Sequence, residues 1–171
     1  LFAGGRGTRL KPLTDDRPKP LLNIGNRPIL ENIINNFKES EISKFYISVN
    51  YKSEMIIDYF GNGRNFGVEI EYIQEPFPLG TAGSLSLLIN KPTSPIIVMN
   101  GDLLTKVDFK ELLHFHEKQS SLITVCVREH DIKIPYGVVK CNGEELVTID
   151  EKPVHKFFVN AGIYVIEPEV L

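Results

Sequence analysis

Tryptophan is absent from the 171 residues, and cysteine and methionine occur only twice each. Without tryptophan the chain lacks the best aromatic face for holding a quaternary ammonium group. Cys126 and Cys141 have no Cys-x-x-Cys spacing, so they suggest neither a redox pair nor a metal motif; two buried thiols in a reducing cytoplasm are expected. No apolar run approaches the roughly 18 residues of a membrane span, and Leu1-Phe2-Ala3 is far shorter than the apolar core of a signal peptide. A formal charge of −3 leaves no basic excess for coating nucleic acid. With 42% hydrophobic and 24% charged residues, the chain suits one soluble domain, expected over residues 1–171. Leu1-Phe2-Ala3 reads as the end of a buried strand with no initiator Met before it, and the chain stops four residues past a strand expected over 157–167. It is therefore expected to be truncated at both ends.

The patterning alternates strands and helices. Ile29, Leu30, Ile33, Ile34 and Phe37 recur at helical spacing behind Pro28, predicting a helix over 28–39 with the proline at its first position. Phe45 to Val49 reads as a strand, and Ser53 as the N-cap of a helix that carries Met55, Ile56, Tyr59 and Phe60 and stops at Gly61-Asn62-Gly63. Val68, Ile70 and Tyr72 alternate with Glu69 and Glu71 in a half-exposed strand, and residues 81–89 are expected to be helical. Ile96 to Met99 and Leu122 to Val127 are continuous apolar strands, expected to be covered on both faces. Between them Asp108 caps a helix through Lys118, with Leu112, Leu113 and Phe115 expected inside. Residues 138–149 describe a hairpin with an Asn142-Gly143 turn. The fold class implied is α/β: a three-layer, doubly wound, mostly parallel sheet with a mixed portion near the end. Tyr46, Tyr59, Phe60 and Phe115 read as core. His114 and His116 lie about 200° apart around a helix, so they would not share a metal and receive no role.

Against this ordinary background, three glycines fall within four positions of the N-terminal segment, at Gly4, Gly5 and Gly7, interleaved with Arg6 and followed by Thr8-Arg9. Residues 1–30 hold six basic side chains against two acidic ones, inside a chain that is acidic overall. Glycine lets backbone N–H groups approach an anion closely, and the local positive charge suits a polyphosphate. The loop is not a P-loop, because Thr8-Arg9 stands where Gly-Lys-Ser/Thr is needed. Nor is it a dinucleotide fingerprint, because Leu10 occupies the third glycine position. In Pro18-Lys19-Pro20 each ring fixes its own φ and extends the residue before it, which makes Lys19 a preorganised cation.

The run Ala3-Gly4-Gly5-Arg6-Gly7-Thr8-Arg9-Leu10, with Pro18-Lys19-Pro20 and Pro28-Ile29-Leu30, resembles the signature of the sugar-1-phosphate nucleotidylyltransferases. Later segments match in order: Glu75-Pro76, Leu79-Gly80-Thr81-Ala82-Gly83, Asn100-Gly101-Asp102, Tyr136-Gly137, Glu151-Lys152-Pro153 and Asn160-Ala161-Gly162. The resemblance implies a Rossmann-like nucleotide-diphospho-sugar transferase fold. It also implies a reaction in which a nucleoside triphosphate and a sugar 1-phosphate give a nucleotide-sugar and pyrophosphate.

By the same resemblance, Ala3, Gly4, Gly5, Gly7 and Thr8 cradle the triphosphate, Arg9 and Lys19 stabilise charge in the transition state, and Asp102 binds Mg²⁺. Arg6 sits at a position where the family varies. Gln74, Gly80 and Thr81 occupy base-recognition positions, and Gly137, Glu151, Lys152 and Asn160 contact the sugar phosphate. A second metal-binding aspartate is expected downstream of Asn160-Ala161-Gly162, beyond Leu171. The implied partners are small molecules, with no nucleic acid and no membrane, and homo-oligomerisation stays open. Residues 78–83 look most like mannose-1-phosphate guanylyltransferase-like members, which favours GTP. Thymidylyl or cytidylyl transfer to glucose 1-phosphate, and a non-catalytic sugar-nucleotide-binding subunit, are the alternatives. A choline-type cytidylyl donor ranks lower without tryptophan.

Overall fold

A computed structural model describes residues 1–77, 79, 80 and 82–171. The backbone divides into two compact units, one of residues 1–124 with 163–171 and one of residues 125–162.

The first unit contains α1 (Leu13–Asp16), the two-residue strands β1 (Asn23–Ile24) and β2 (Arg27–Pro28), α2 (Ile29–Glu39), β3 (Lys44–Val49) and α3 (Ser53–Phe60). After these come β4 (Glu69–Gln74), β5 (Ile96–Met99) and α4 (Phe109–Gln119). β3 and β4 pair in parallel, with Lys44 opposite Glu69 and Val49 opposite Gln74. Phe2 bridges Ser48 on one side and Asn100 on the other, both in parallel. Four chain segments therefore run the same way, and their carboxyl ends, at Ala3, Val49, Gln74 and Met99, share one edge of the sheet. β9 (Val154–Ile166) adds antiparallel to β5, with Ile96 opposite Ile166 and Met99 opposite Ile163. β6 (Ile123–Lys133) lies beyond it. The mixed, mostly parallel α/β sheet expected from the alternation is present.

Packing follows the helical stripe. α2 buries Ile29, Leu30, Ile33, Ile34 and Phe37. The Phe37 ring stacks on Phe109 at 3.9 Å and meets Phe45 edge-on at 5.7 Å, so α2 contacts both the start of α4 and β3. An edge-to-face contact such as Phe37–Phe45 adds about 0.5–1.5 kcal/mol beyond area burial. Pro28 is the extended cap of α2 rather than its first residue. Lys52, in the left-handed region, caps α3, so Ser53 is the first helical residue and not the N-cap. The helix stops at Gly61, as its glycine cluster implies.

Several expectations are corrected. Residues 81–89 do not form an α-helix among the described positions; a short 3₁₀ turn covers Gly83–Leu87. α4 begins after Asp108, whose carboxylate accepts from the Lys110 and Glu111 amides, but it buries Phe109 and His116. Leu112 and Leu113 are half-buried and Phe115 is exposed. His116 is accommodated because both ring nitrogens are partnered, Nδ1 with Thr124 Oγ1 at 2.7 Å and Nε2 with Glu167 Oε1 at 3.2 Å. Tyr59 is exposed and donates to Glu31, and Tyr46 is half-buried, which leaves Phe60 as the buried member of the expected aromatic core. Ile96 and Ile97 are only half-buried, and Ile123, Val125 and Val127 are exposed rather than covered on both faces. Cys126 is half-buried and Cys141 exposed, both as free thiols, so the expected buried pair is not found.

The second unit holds most of β6 and β9 together with the antiparallel hairpin β7 (Gly137–Asn142) and β8 (Glu145–Glu151). Gly143 turns it at φ +62°, with Asn142 the last residue of β7.

Candidate functional site

The carboxyl edge of the parallel strands is where ligands bind in open α/β sheets, and the glycine loop leaves the sheet there. The Ala3 amide donates to Ser48 O at 2.8 Å, so the chain enters the loop directly from a strand position. Gly4 passes so close to β3's end that an added Cβ would lie 3.2 Å from the Asn50 backbone nitrogen and from its Cβ. Gly7 takes φ +60°, and a Cβ there would meet Thr14 Cγ2 at 2.9 Å and Lys19 Cβ at 3.2 Å. The Gly7 carbonyl accepts from the buried Thr14 hydroxyl at 3.0 Å and from the Leu10 amide at 2.9 Å. Gly5 differs: it is exposed, and nothing lies within 4 Å of where its Cβ would stand.

The loop forms one wall of a cavity of about 710 Å³. Ala3, Gly4, Gly5, Gly7, Thr8 and Arg9 line it together with Lys19, Gly80 and Asp102, and so do Phe2, Leu10, Pro20, Glu75 and Asn100. Lys19 stands between Pro18 and Pro20, both buried, in a 3₁₀ turn closed by the Leu21 amide on Pro18 O and the Leu22 amide on Lys19 O. Its ammonium donates to Asp102 Oδ2 at 2.5 Å. Asp102 is placed there by Gly101, whose amide donates to Phe2 O at 2.7 Å and whose Cβ, if present, would sit 2.9 Å from that same oxygen. The two side chains are 30% and 36% exposed. At that exposure the ion pair adds at most about 1 kcal/mol to stability, and both groups remain open to an arriving ligand.

Glu75 also lines the cavity. One carboxylate oxygen accepts from the Ser48 hydroxyl and the other from the Leu79 amide at 3.2 Å, while Gly80, at φ +83°, lines the cavity. Gln74 ends β4, exposed, and lies outside the described lining; its neighbour Glu75 takes that place. Thr81, expected beside Gly80, lies outside the described residues. Glu75 and Ser48 were missing from the expected site. Their signal was a lone hydroxyl in the otherwise apolar end of β3, which needs a buried partner.

The sugar-phosphate candidates fall in the second unit. Gly137 pairs with Glu151 across the hairpin, and a Cβ on Gly137 would be 3.2 Å from Glu151 Oε2. Lys152 is 3.5 Å from Glu151 Oε1 and takes φ +47°, and its amide donates to Tyr136 O. These three therefore cluster at one end of the hairpin. Asn160 lies on β9 of the same unit, where its side-chain oxygen accepts from the Gly162 amide at 2.8 Å.

The family model described as Nucleotidyl transferase matches residues 1–171. The chain belongs to the nucleotidyl transferase family. Within that family it is 37% identical over 180 residues to a mannose-1-phosphate guanyltransferase of Aspergillus oryzae; the match covers 100% of this chain and 50% of the relative. The chain thus spans half the length of the curated relatives it matches. A Bacillus anthracis structure solved with sucrose shares the fold at a TM-score of 0.77 and 24% identity, covering 99% of this chain and 70% of that one. HddC of Yersinia pseudotuberculosis, in complex with GMP-PN, matches at a TM-score of 0.71 and 26% identity, covering 99% and 76%. The Rossmann-like fold of nucleotidyl transferases is therefore the fold of this chain. No helix among the described residues is long and apolar enough to cross a membrane.

Proposed function

We propose that this chain is the nucleotidyltransferase part of a catalytic domain that transfers a nucleoside monophosphate group from a triphosphate, with GTP favoured, to a sugar 1-phosphate, with mannose 1-phosphate favoured. Nucleotide-sugar and pyrophosphate are the products. One observation supports the reading: Gly4, Gly5, Gly7 and Thr8 line a single cavity together with Lys19 and Asp102. The relatives' names and the GMP-PN complex of HddC support the guanine preference.

The chemistry is attack by a phosphate oxygen of the sugar 1-phosphate on the α-phosphorus of the nucleotide, with pyrophosphate leaving in line. Both reactants are anions, so charge must be neutralised before the atoms approach. Loop amides and the Gly7-Thr8 turn offer fixed donors to the triphosphate. Lys19, stiffened by its prolines, presents a cation that needs no reorganisation, and Arg9 adds a second from the same wall. Neither a nucleophilic side chain nor a proton relay is required.

Among the described residues no three His, Cys, Asp or Glu side chains cluster as an all-protein metal cage. A lone carboxylate beside a phosphate cradle fits Mg²⁺, which keeps most of its coordination for phosphate oxygens and water. Asp102 would hold it, and when bound it would offset triphosphate charge during transfer. Lys19 and Asp102 neutralise each other while waiting, and each has a stronger partner once nucleotide and metal arrive. The two free thiols support a reducing cytoplasmic setting. Gly137, Glu151, Lys152 and Asn160 are proposed to meet the sugar phosphate, Lys152 as a compact point charge.

The test is pyrophosphate release by the full-length protein from each of the four triphosphates against a series of sugar 1-phosphates. GTP with mannose 1-phosphate is expected to be fastest. Silence with every pair contradicts the reading.

A further inference from the structure

We infer that Thr14 is a positioning residue for the triphosphate: it touches no ligand and shapes the glycine loop from behind, through its hydroxyl on the Gly7 carbonyl. The inference rests on the reading of the cavity as a nucleoside triphosphate site. Thr14 is 1% exposed and is the buried residue of α1, whose other members Leu13, Asp15 and Asp16 are exposed. Valine has the same shape without a hydroxyl to bury, so the threonine here is not explained by packing. A buried hydroxyl is tolerated only with a partner, and this one donates to Gly7 O at 3.0 Å. Thr14 itself lies outside the described lining of the cavity, whereas Gly7 and Thr8 belong to it.

That bond fixes a peptide plane. Gly7 O accepts from Thr14 Oγ1 and, at 2.9 Å, from the Leu10 amide, which accounts for both of its lone pairs. In a planar trans peptide the carbonyl and the following N–H point opposite ways. With Gly7 O held toward Thr14, the Thr8 N–H faces away from α1, and it donates to no backbone carbonyl among the described residues. It is thereby a fixed donor for a phosphate oxygen, needing no rearrangement when the ligand arrives.

The threonine methyl packs at the same turn. Gly7 has φ +60°, and the point where its Cβ would stand lies 2.9 Å from Thr14 Cγ2 and 3.2 Å from Lys19 Cβ. The turn is therefore wedged between α1 and the stem of the cation that meets Asp102. α1 is in turn tied to the segment that follows β3. The Tyr51 hydroxyl donates to Thr14 O and its amide to Gly4 O, both at 3.4 Å, and Lys52 Nζ donates to Asp15 O at 2.5 Å. Thr14 thus presses on the loop from an anchored helix.

Two comparisons isolate the hydroxyl: the wild type against Thr14→Val, and Thr14→Ser against Thr14→Ala. Titration calorimetry on the full-length protein measures binding of GTP with Mg²⁺ and of inorganic tripolyphosphate, and thermal unfolding measures stability. Affinity for both ligands should fall about tenfold in Thr14→Val and stay within about threefold in Thr14→Ser, although Thr14→Ser also loses stability through its missing methyl. Thr14→Ala should bind about tenfold more weakly than Thr14→Ser. The Thr8 amide shift in the unliganded protein should move in Thr14→Val and stay near the wild type in Thr14→Ser.

Wild-type affinity in a folded Thr14→Val protein overturns the inference. So does a loss in Thr14→Ser equal to that in Thr14→Val, or a binding loss that simply follows Tm across the series, because Thr14 then serves stability alone. If Thr14→Val does not fold, equal affinities of Thr14→Ser and Thr14→Ala overturn it. A folded wild type that binds neither GTP nor tripolyphosphate overturns the triphosphate reading of the cavity instead, whatever the variants do to the Thr8 amide.

Discussion

Gly5→Ala separates a glycine kept for a ligand from one kept for the fold. Gly5 has a backbone that other residues can adopt, and a methyl there meets no atom within 4 Å. Replacing it by alanine should therefore leave stability unchanged or raise it slightly, by up to about 1 kcal/mol, through the reduced freedom of the unfolded chain. The methyl would nonetheless stand on the exposed wall of the cavity, where a phosphate must come within hydrogen-bonding distance of the loop amides. Hydrogen bonds to charged groups contribute about 1.5–3 kcal/mol each. Losing one or two predicts triphosphate affinity reduced roughly 10- to 100-fold or more at unchanged Tm. Titration calorimetry with GTP and Mg²⁺, paired with thermal unfolding, measures both quantities. Wild-type affinity in a folded Gly5→Ala protein would refute the claim that this loop is a phosphate cradle.

Gly7→Ala should behave oppositely. With φ +60° and contacts of 2.9 Å to Thr14 and 3.2 Å to Lys19, it is expected to lose about 2–4 kcal/mol of stability by chemical denaturation. Lys19→Ala should lower turnover by about 10²-fold or more while retaining the fold, because it removes a preorganised charge donor; pyrophosphorolysis at near wild-type rate would exclude Lys19 from the mechanism. Asp102→Asn is expected to weaken the dependence of turnover on Mg²⁺, and an unchanged Mg²⁺ titration of the full-length protein would remove Asp102 as a ligand. Burial pushes the Tyr72 phenol up to about 12. The folded protein then holds that proton while the unfolded chain releases it near pH 10, so stability present below pH 10 should decline as pH rises toward 12. Tyr72→Phe should flatten that decline in an alkaline unfolding series.

Much of the candidate site's cavity lining was legible because its motifs are local in sequence. Gly4, Gly5, Gly7, Lys19 and Asp102 each sit in short motifs whose backbone demands, a left-handed turn, a proline bracket, a strand crossing, can be read from neighbouring letters. The sheet was legible for the same reason, since the apolar periods of α2 and β3 match what they bury. What escaped depended on contacts between distant segments. Glu75 joins the site because Ser48, 27 positions away, needs an acceptor in the parallel register of β3 and β4. On α4 the inward face is occupied by His116 and not Phe115, because Thr124 and Glu167 meet its ring nitrogens and no periodicity rule anticipates them. The short 3₁₀ turn at Gly83–Leu87 appears where an α-helix was expected, as Gly83 and Leu79 are pressed together. The exposed Cys141 reflects a two-stranded hairpin most of whose residues are exposed.

The account stands most directly on where a nucleotide settles. Amide chemical shifts followed while GTP and Mg²⁺ are titrated into the wild-type protein should move together at residues 4–8, 19, 80 and 102, with a single affinity. Shifts confined to other parts of the chain, or movement of the glycine loop without positions 19 and 102, would contradict a single cavity that gathers triphosphate and metal.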